Sequence, residues 1–210
     1  MTLLSPLVLL IQDWLDKVNT RPYRALVLEN IYPLIETHLQ ILDVGCDDGA
    51  FSSELMQHDS TLKVVGVDVQ SHRRAIIPKA IYDGDHLPFP DGSFDLVMAI
   101  DVLHHTPDML QVMREMARVS RRYLLIKDHL WKGSIINLWL IGLFDWLMNT
   151  PLGIGCAFNY PKAEVWEHSF SLLGLHQNLK KHISHLPFGV NRRFNCIFLL
   201  EKPGHRNLAL

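Results

Sequence analysis

Ile41-Leu42-Asp43-Val44-Gly45-Cys46-Asp47-Asp48-Gly49-Ala50-Phe51 reads as an apolar strand that runs into a glycine-containing turn and passes at once into a helix. Working outward, three more short apolar runs stand at Leu62–Val67, Phe94–Ile100 and Tyr123–Ile126, each bounded by Gly, Asp or Pro and too short for a buried helix. Helical patterns lie between them, most clearly at Ala50–Gln57 and Met109–Val119. The second has a start signal in Thr106 as cap, Pro107 in the first turn and Asp108 on the positive end of the dipole. Strands alternating with helices predict βαβ units, and the right-handed crossover rule makes the sheet mainly parallel.

The flanks differ in character. Residues 1–38 read as helical, with one pattern at Leu7, Leu10, Ile11, Leu15 and Val18, a break at Thr20-Arg21-Pro22, and a second pattern at Leu26, Ile31, Leu34 and Ile35. After Lys127, Ile135–Met148 and Lys162–Leu173 look helical, the latter closed by Gly174. Two late strands, Leu175–Ile183 and Asn195–Glu201, flank a Pro187-Phe188-Gly189 turn and pair as an antiparallel edge hairpin. No repeat or linker divides the chain, so we read one domain: a helical cap (1–38), a core (39–127), a helical insertion (128–174), and a hairpin with its tail (175–210).

Composition excludes several classes. With 48% hydrophobic and 20% charged residues the chain is neither disordered nor collagen-like. A net charge of -2 is the wrong sign for a binder of nucleic acid working by counterion release. Cys46, Cys156 and Cys196 are far apart and without CxxC spacing, which points to reduced thiols in a cytoplasmic compartment. Leu3–Ile11 lacks the basic flank and cleavage site of a signal peptide. Ile135–Met148 would reach only about 21 Å as a helix, short of the bilayer core, so we expect no transmembrane segment and at most weak peripheral membrane contact. The histidines make no metal site: His182 and His185 point to opposite faces of a strand, and of the adjacent His104 and His105 at most one faces a given cleft.

The first turn places backbone N–H groups and a helix start at the carboxyl end of a parallel strand, where ligands bind in open α/β sheets. Val64-Val65-Gly66-Val67-Asp68 then ends in a carboxylate 23 residues after Gly45, positioned to accept both hydroxyls of a ribose. The plainer reading of Asp68 is a solvated strand end or a helix cap. Asp85, in Asp83-Gly84-Asp85-His86-Leu87-Pro88-Phe89, follows a short third strand and is placed to accept from an exocyclic amine in the same cleft. The GxGxxG dinucleotide fingerprint is absent, which argues against a nicotinamide oxidoreductase.

In order and spacing, Asp43-Val44-Gly45-Cys46, Gly66-Val67-Asp68, Gly84-Asp85 with Leu87-Pro88-Phe89, Ser93-Phe94-Asp95 and Val102-Leu103-His104-His105 resemble class I S-adenosylmethionine-dependent methyltransferases of the small-molecule type. The resemblance covers Leu39 to Lys127. It implies an α/β, doubly wound, Rossmann-like sheet of seven strands, mainly parallel with the last antiparallel and with helices on both faces. It also implies S-adenosyl-L-methionine as cofactor, with Asp43, Gly45, Cys46 and Gly49 around the methionine part, Asp68 and Val69 at the ribose, Asp85 and His86 by the adenine, and Asp101 at the cleft. Where the family's loop carries a glycine this chain has Asp47, which either holds the amino acid's ammonium or repels its carboxylate. The stretch after Asp68 is short, so the second helix is expected to be a stub. Ser120-Arg121-Arg122 reads as a loop.

On this reading the protein transfers a methyl group to a small molecule, and His104 and His105 are the candidate bases, imidazole titrating near neutrality. The competing view makes one histidine a cleft wall and the other a surface residue. Seven aromatic residues between Trp131 and Trp166 (Trp131, Trp139, Phe144, Trp146, Phe158, Tyr160, Trp166) suggest an apolar lid for an aromatic or lipid-like acceptor, or else a hydrophobic helix packed on the sheet. The alternative from another class is a non-catalytic adenosyl-ligand-binding or scaffold protein that retains the fold.

Overall fold

The computed structural model describes residues 20–71, 75–131, 139, 142, 160–183 and 195–204. The pattern Leu7–Val18, the turn at Pro187, Cys156, Phe144, Trp146, Phe158 and nearly all of Ile135–Met148 lie outside the described residues. In chain order the elements are α1 (Arg21–Ile31), β1 (Gln40–Val44), α2 (Ala50–His58), β2 (Lys63–Asp68), β3 (Lys79–Ile81), β4 (Phe94–Ile100), α3 (Met109–Val119), β5 (Ser120–His129), α4 (Ala163–Leu172), β6 (His176–Ile183) and β7 (Asn195–Glu201). Short 3₁₀ turns follow α1 (Tyr32–Leu34) and β4 (Leu103–His105).

The seven strands form one sheet in the order β3-β2-β1-β4-β5-β7-β6. β1 lies between β2 and β4, parallel to both, and β3 and β5 extend the parallel run on either side. β7 inserts antiparallel between β5 and β6, so the hairpin expected at the edge is present with its second strand on the inside. Burial agrees, because every residue of β7 is buried whereas β6 alternates with exposed positions. Between β2 and β3 the described residues, 69–71 and 75–78, include no helix.

Period-two alternation divides the strands between two apolar layers. Leu42, Val44, Val97, Ala99, Leu124 and Ile126 pack with Val112, Met113 and Met116 of α3 and with Trp166 and Phe170 of α4. Ile41, Leu96, Met98 and Leu125 pack on the other face with Val27, Leu28 and Ile31 of α1 and Leu55 of α2. Helices therefore cover both faces.

Two local expectations are corrected. Asp108, not Thr106, caps α3: its side chain accepts from Gln111 N–H at 3.0 Å, while the Thr106 hydroxyl donates to Leu103 C=O and closes the 3₁₀ turn. Ser120-Arg121-Arg122 is the first part of β5 rather than a loop, because Ser120 pairs with Phe94 and the arginines form ion pairs with Asp95 and Glu201. Trp166 sits at 0% exposure among Phe170 and Phe198, so it belongs to the sheet's core and not to any cover. Among the described residues no helix is long and apolar enough to cross a membrane.

Candidate active site

At the carboxyl end of the parallel strands, the turn after β1 is built on left-handed backbone. Gly45 has φ +73°, Gly49 +84° and Asp47 +51°. A Cβ at Gly45 would lie 2.4 Å from Val102 Cγ2, so the loops after β1 and β4 touch there only because Gly45 has no side chain. Asp47 takes the conformation a glycine would adopt, and aspartate tolerates it better than most residues. Its side chain is exposed.

Asp68 closes β2 beside this turn and is buried. Its Oδ2 accepts the Asp47 N–H at 2.8 Å and its Oδ1 the Gln70 N–H at 2.9 Å. A carboxylate has about four acceptor positions, so one on each oxygen remains. Asp43, on the central strand, accepts the Ser52 hydroxyl at 2.6 Å. Burial, with the charge of Asp68 adding and Ser52 opposing, pushes its carboxyl up to about 7. The Cys46 side chain packs over Gly66, where a Cβ would fall 2.4 Å from its Sγ, and burial pushes the thiol up to about 12. Cys46 therefore contributes packing, and no reactive group, to the loop.

The loop after β3 meets the loop after β2. A Cβ on Gly84 would sit 3.4 Å from Val69 Cγ1, and Val69 is 54% exposed, an apolar surface at the rim. Asp83 Oδ1 accepts both the Asp85 and His86 N–H groups, so the exposed Asp85 and His86 side chains stand together, 3.4 Å apart. Glu115 and Arg118 of α3 anchor the chain just beyond: Glu115 accepts the Leu87 N–H, and Arg118 donates to Leu87 C=O and Phe89 C=O.

A second group of polar side chains gathers at the ends of β4 and β5. Asp128, fully buried, accepts four donors: Leu103 N–H and His104 N–H at Oδ2, His104 Nδ1 at 2.6 Å and its neighbour His129 N–H at Oδ1. Burial alone would raise this carboxyl; the charge and hydrogen bond of His104, joined by His129, outweigh it and hold Asp128 well below the usual range. His104 is 1% exposed, and half-buried His105 lies against it, ring centroids 4.0 Å apart and the planes tilted by 42°. Tyr160 covers His104 and His129, its ring 5.8 and 5.6 Å from theirs. Asp101, itself at φ +57°, accepts the Tyr23 hydroxyl at 2.6 Å and is ion-paired to Lys127, whose Nζ also reaches Asn195 Oδ1 at 2.9 Å. Burial lowers Lys127 to about 7 and His129 to about 4.

The sequence-predicted residues thus fall into two clusters: Asp43, Gly45, Gly49, Asp68 and Val69 with Asp85 and His86 at one end, and Asp101, His104 and His105 at the other. Tyr23, Lys127, Asp128, His129, Tyr160 and Asn195 were missed. Lys127-Asp128-His129 reads as a polar strand end, and the signal that it is buried lies only in the distant partners. Ligand atoms of Asp101, His104, Asp128 and His129 come within 4.8 Å of one another, a proximity no local spacing announces. With its four acceptor positions taken, Asp128 serves this group as a hydrogen-bonded anchor rather than as a ready metal ligand.

Residues 42–123 match the family described as Methyltransferase domain. Among curated proteins, 27-O-demethylrifamycin SV methyltransferase of Amycolatopsis mediterranei is 30% identical over 95 residues, 39% of this chain and 35% of that one. The 2-methyl-6-phytyl-1,4-hydroquinone methyltransferase of Synechocystis is 36% identical over 91 residues, 39% of this chain and 28% of that one. The phthiotriol/phenolphthiotriol dimycocerosates methyltransferase 1 of Mycobacterium ulcerans is 30% identical over 128 residues, 53% of this chain and 46% of that one. The chain thus spans less than half the length of these relatives. An S-adenosylmethionine dependent methyltransferase from Mesorhizobium loti shares the fold with a TM-score of 0.64 at 15% identity, over 83% of this chain and 96% of that one. Strand order and glycine turn agree with these likenesses: residues 42–123 are similar to the methyltransferase domain family, on a fold shared with S-adenosylmethionine-dependent methyltransferases.

Proposed function

We propose that this protein transfers a methyl group from S-adenosylmethionine to a small, apolar molecule carrying a group that must shed a proton. The observation that carries this reading is Asp68: buried at the end of β2, held by two loop N–H groups, with one acceptor position left on each oxygen. That pair of free acceptor positions suits a ribose, which offers two adjacent hydroxyls as donors. Exposed Val69 beside Gly84 supplies an apolar surface for a purine face, with Asp85 and His86 at its edge. Asp43, Gly45 and Gly49 line the turn for the methionine part, and a cation there would favour the ionised form of Asp43.

The bound cofactor supplies a methyl group already activated by its sulfonium charge. The chain then has to orient the acceptor, exclude water and take up a proton. His104 and His105 divide the last task. Ionised Asp128 fixes His104 as the Nδ1–H tautomer, and half-buried His105, tilted against it, is the more accessible ring. Relatives named for a demethylrifamycin, a phytyl hydroquinone and phthiotriol dimycocerosates support an apolar acceptor. The sulfonium chemistry needs no metal.

The competing reading, a non-catalytic adenosyl-ligand binder, rests on Asp47, a carboxylate where the loop would carry glycine. Titration calorimetry with S-adenosylmethionine and S-adenosylhomocysteine tests the proposal. Binding tighter than about millimolar that is weakened about 10-fold or more by Asp68→Ala supports it, and no binding ends it. Asp47→Gly separates the roles of that residue, because tighter binding marks a handicap and weaker binding a ligand.

A further inference from the structure

The two loops that would clasp the methyl donor are joined by a closed ring of hydrogen bonds. Asp47 N–H donates to Asp68 Oδ2 and Gln70 N–H to Asp68 Oδ1. On the opposite side, Lys79 Nζ donates to Asp47 C=O and to Gln70 C=O, 3.1 Å each. The same two residues are thus gripped from both sides, through their N–H groups by an anion and through their C=O groups by a cation. The chain just before Lys79 is fastened to the turn and to β2: Ile76 N–H donates to Asp48 C=O at 2.8 Å, and Pro78 C=O accepts the Gly66 N–H of β2 at 2.8 Å.

We infer that Lys79 is a positioning residue for the methyl donor, setting the gap between the turn after β1 and the end of β2 and so aiming Asp68 at the ribose. The inference rests on the reading of Asp68 given above and extends it to a residue outside every motif singled out in the sequence. It also explains how the turn holds its shape with Asp47 in the left-handed region, where no glycine is present to make that backbone free of strain. A preformed gap lowers the ordering cost of binding, so removing Lys79 should weaken the donor without touching chemistry.

The test compares wild type, Lys79→Met and Lys79→Arg by calorimetry with S-adenosylhomocysteine, thermal melting, and steady-state kinetics once an acceptor is in hand. Lys79→Met should raise the dissociation constant about 10-fold or more, the effect of two lost charged hydrogen bonds on a loop that must then be ordered on binding. Lys79→Arg, which keeps a donor cation, should stay within about threefold of wild type. The donor KM should rise while kcat at saturating donor and the acceptor KM hold. Wild-type binding with Lys79→Met binding equally well overturns the role of Lys79 alone. So does equal weakening in both variants with a matching fall in melting temperature, which marks a general scaffold. Wild type that binds no nucleoside overturns the reading of Asp68 beneath it.

Discussion

Asp128 holds His104 twice, through its ring at 2.6 Å and through its backbone N–H at 3.3 Å, so a single carboxylate at the end of β5 fixes both the turn that carries the histidine and the tautomer of its ring. Asp128→Asn tests both parts. An amide offers two acceptor positions and points an N–H₂ at donors, so some of the four donors lose their partner. We expect a loss of about 3 kcal/mol in urea unfolding, the range for breaking a buried charged network. With a reversed or mobile tautomer, kcat should fall at least about 100-fold while S-adenosylhomocysteine still binds. A variant that keeps full kcat makes Asp128 a scaffold only, and the histidines lose their claim to the proton.

Asp43 gives the site a pH signature. Its carboxyl is raised to about 7 in the folded chain, well above its ordinary 3.8. Between those values the native state holds a proton that the unfolded state has released, so this group's stabilising contribution is complete below about pH 4 and is lost as pH rises through 7. His129, lowered to about 4, acts the other way between its folded value and 6.5. The clean quantity is therefore the difference between wild type and Asp43→Asn. The variant should gain stability relative to wild type as pH rises from 5 to 8, read by urea midpoints. Donor affinity should move oppositely: wild type binds S-adenosylmethionine more tightly as pH rises toward 7, because the ammonium favours ionised Asp43, and Asp43→Asn flattens that slope. A wild-type affinity independent of pH would show that Asp43 does not face the ligand.

Gly45 links the two clusters. With φ at +73° and Val102 Cγ2 2.4 Å from where a Cβ would fall, Gly45→Ala meets both left-handed strain and a collision with a side chain of the β4 loop. The expected loss exceeds about 2 kcal/mol, from about 1–2 for the backbone and more for displacing Val102. Shortening the collision partner should recover part of it, so Gly45→Ala with Val102→Ala should melt above Gly45→Ala alone. Absence of any recovery would locate the whole cost in the backbone.

The parallel core was legible because its signals are local. Phe94–Ile100 is a strand over the residues expected, and the turn at Gly45–Gly49 stands where the glycines put it. Charged residues concealed the rest. β5 runs to His129, past the point where Lys127 and Asp128 break its apolar run, because Lys127 finds Asp101 and Asn195 while Asp128 finds four donors. Tyr23, which reaches Asp101 across 78 positions of sequence, belongs to a helix whose role there has no local mark. The shift of the α3 cap from Thr106 to Asp108 is of the same kind, since either side chain could cap and only the preceding 3₁₀ turn decides.

The aromatic stretch divides into residues of opposite character, and two tryptophans measure the division. Trp166 is fully buried, touches Phe170 and Phe198, and donates its indole N–H to His129 C=O at 3.2 Å. Trp139 is 76% exposed. Trp166→Ala should cost about 3–5 kcal/mol through the cavity it leaves and the unpaired carbonyl. It should also disturb His129 from below, lowering kcat along with stability. Trp139→Ala should leave the melting temperature unchanged, since an exposed ring contributes little to the folded state. If that ring meets the acceptor, its loss raises the acceptor KM several-fold with donor binding intact, about 1 kcal/mol for an aromatic contact. Unchanged kinetics in Trp139→Ala would remove the apolar cover from the account of how the acceptor is chosen, and leave Tyr160, packed over His104 and His129, as the residue to vary next.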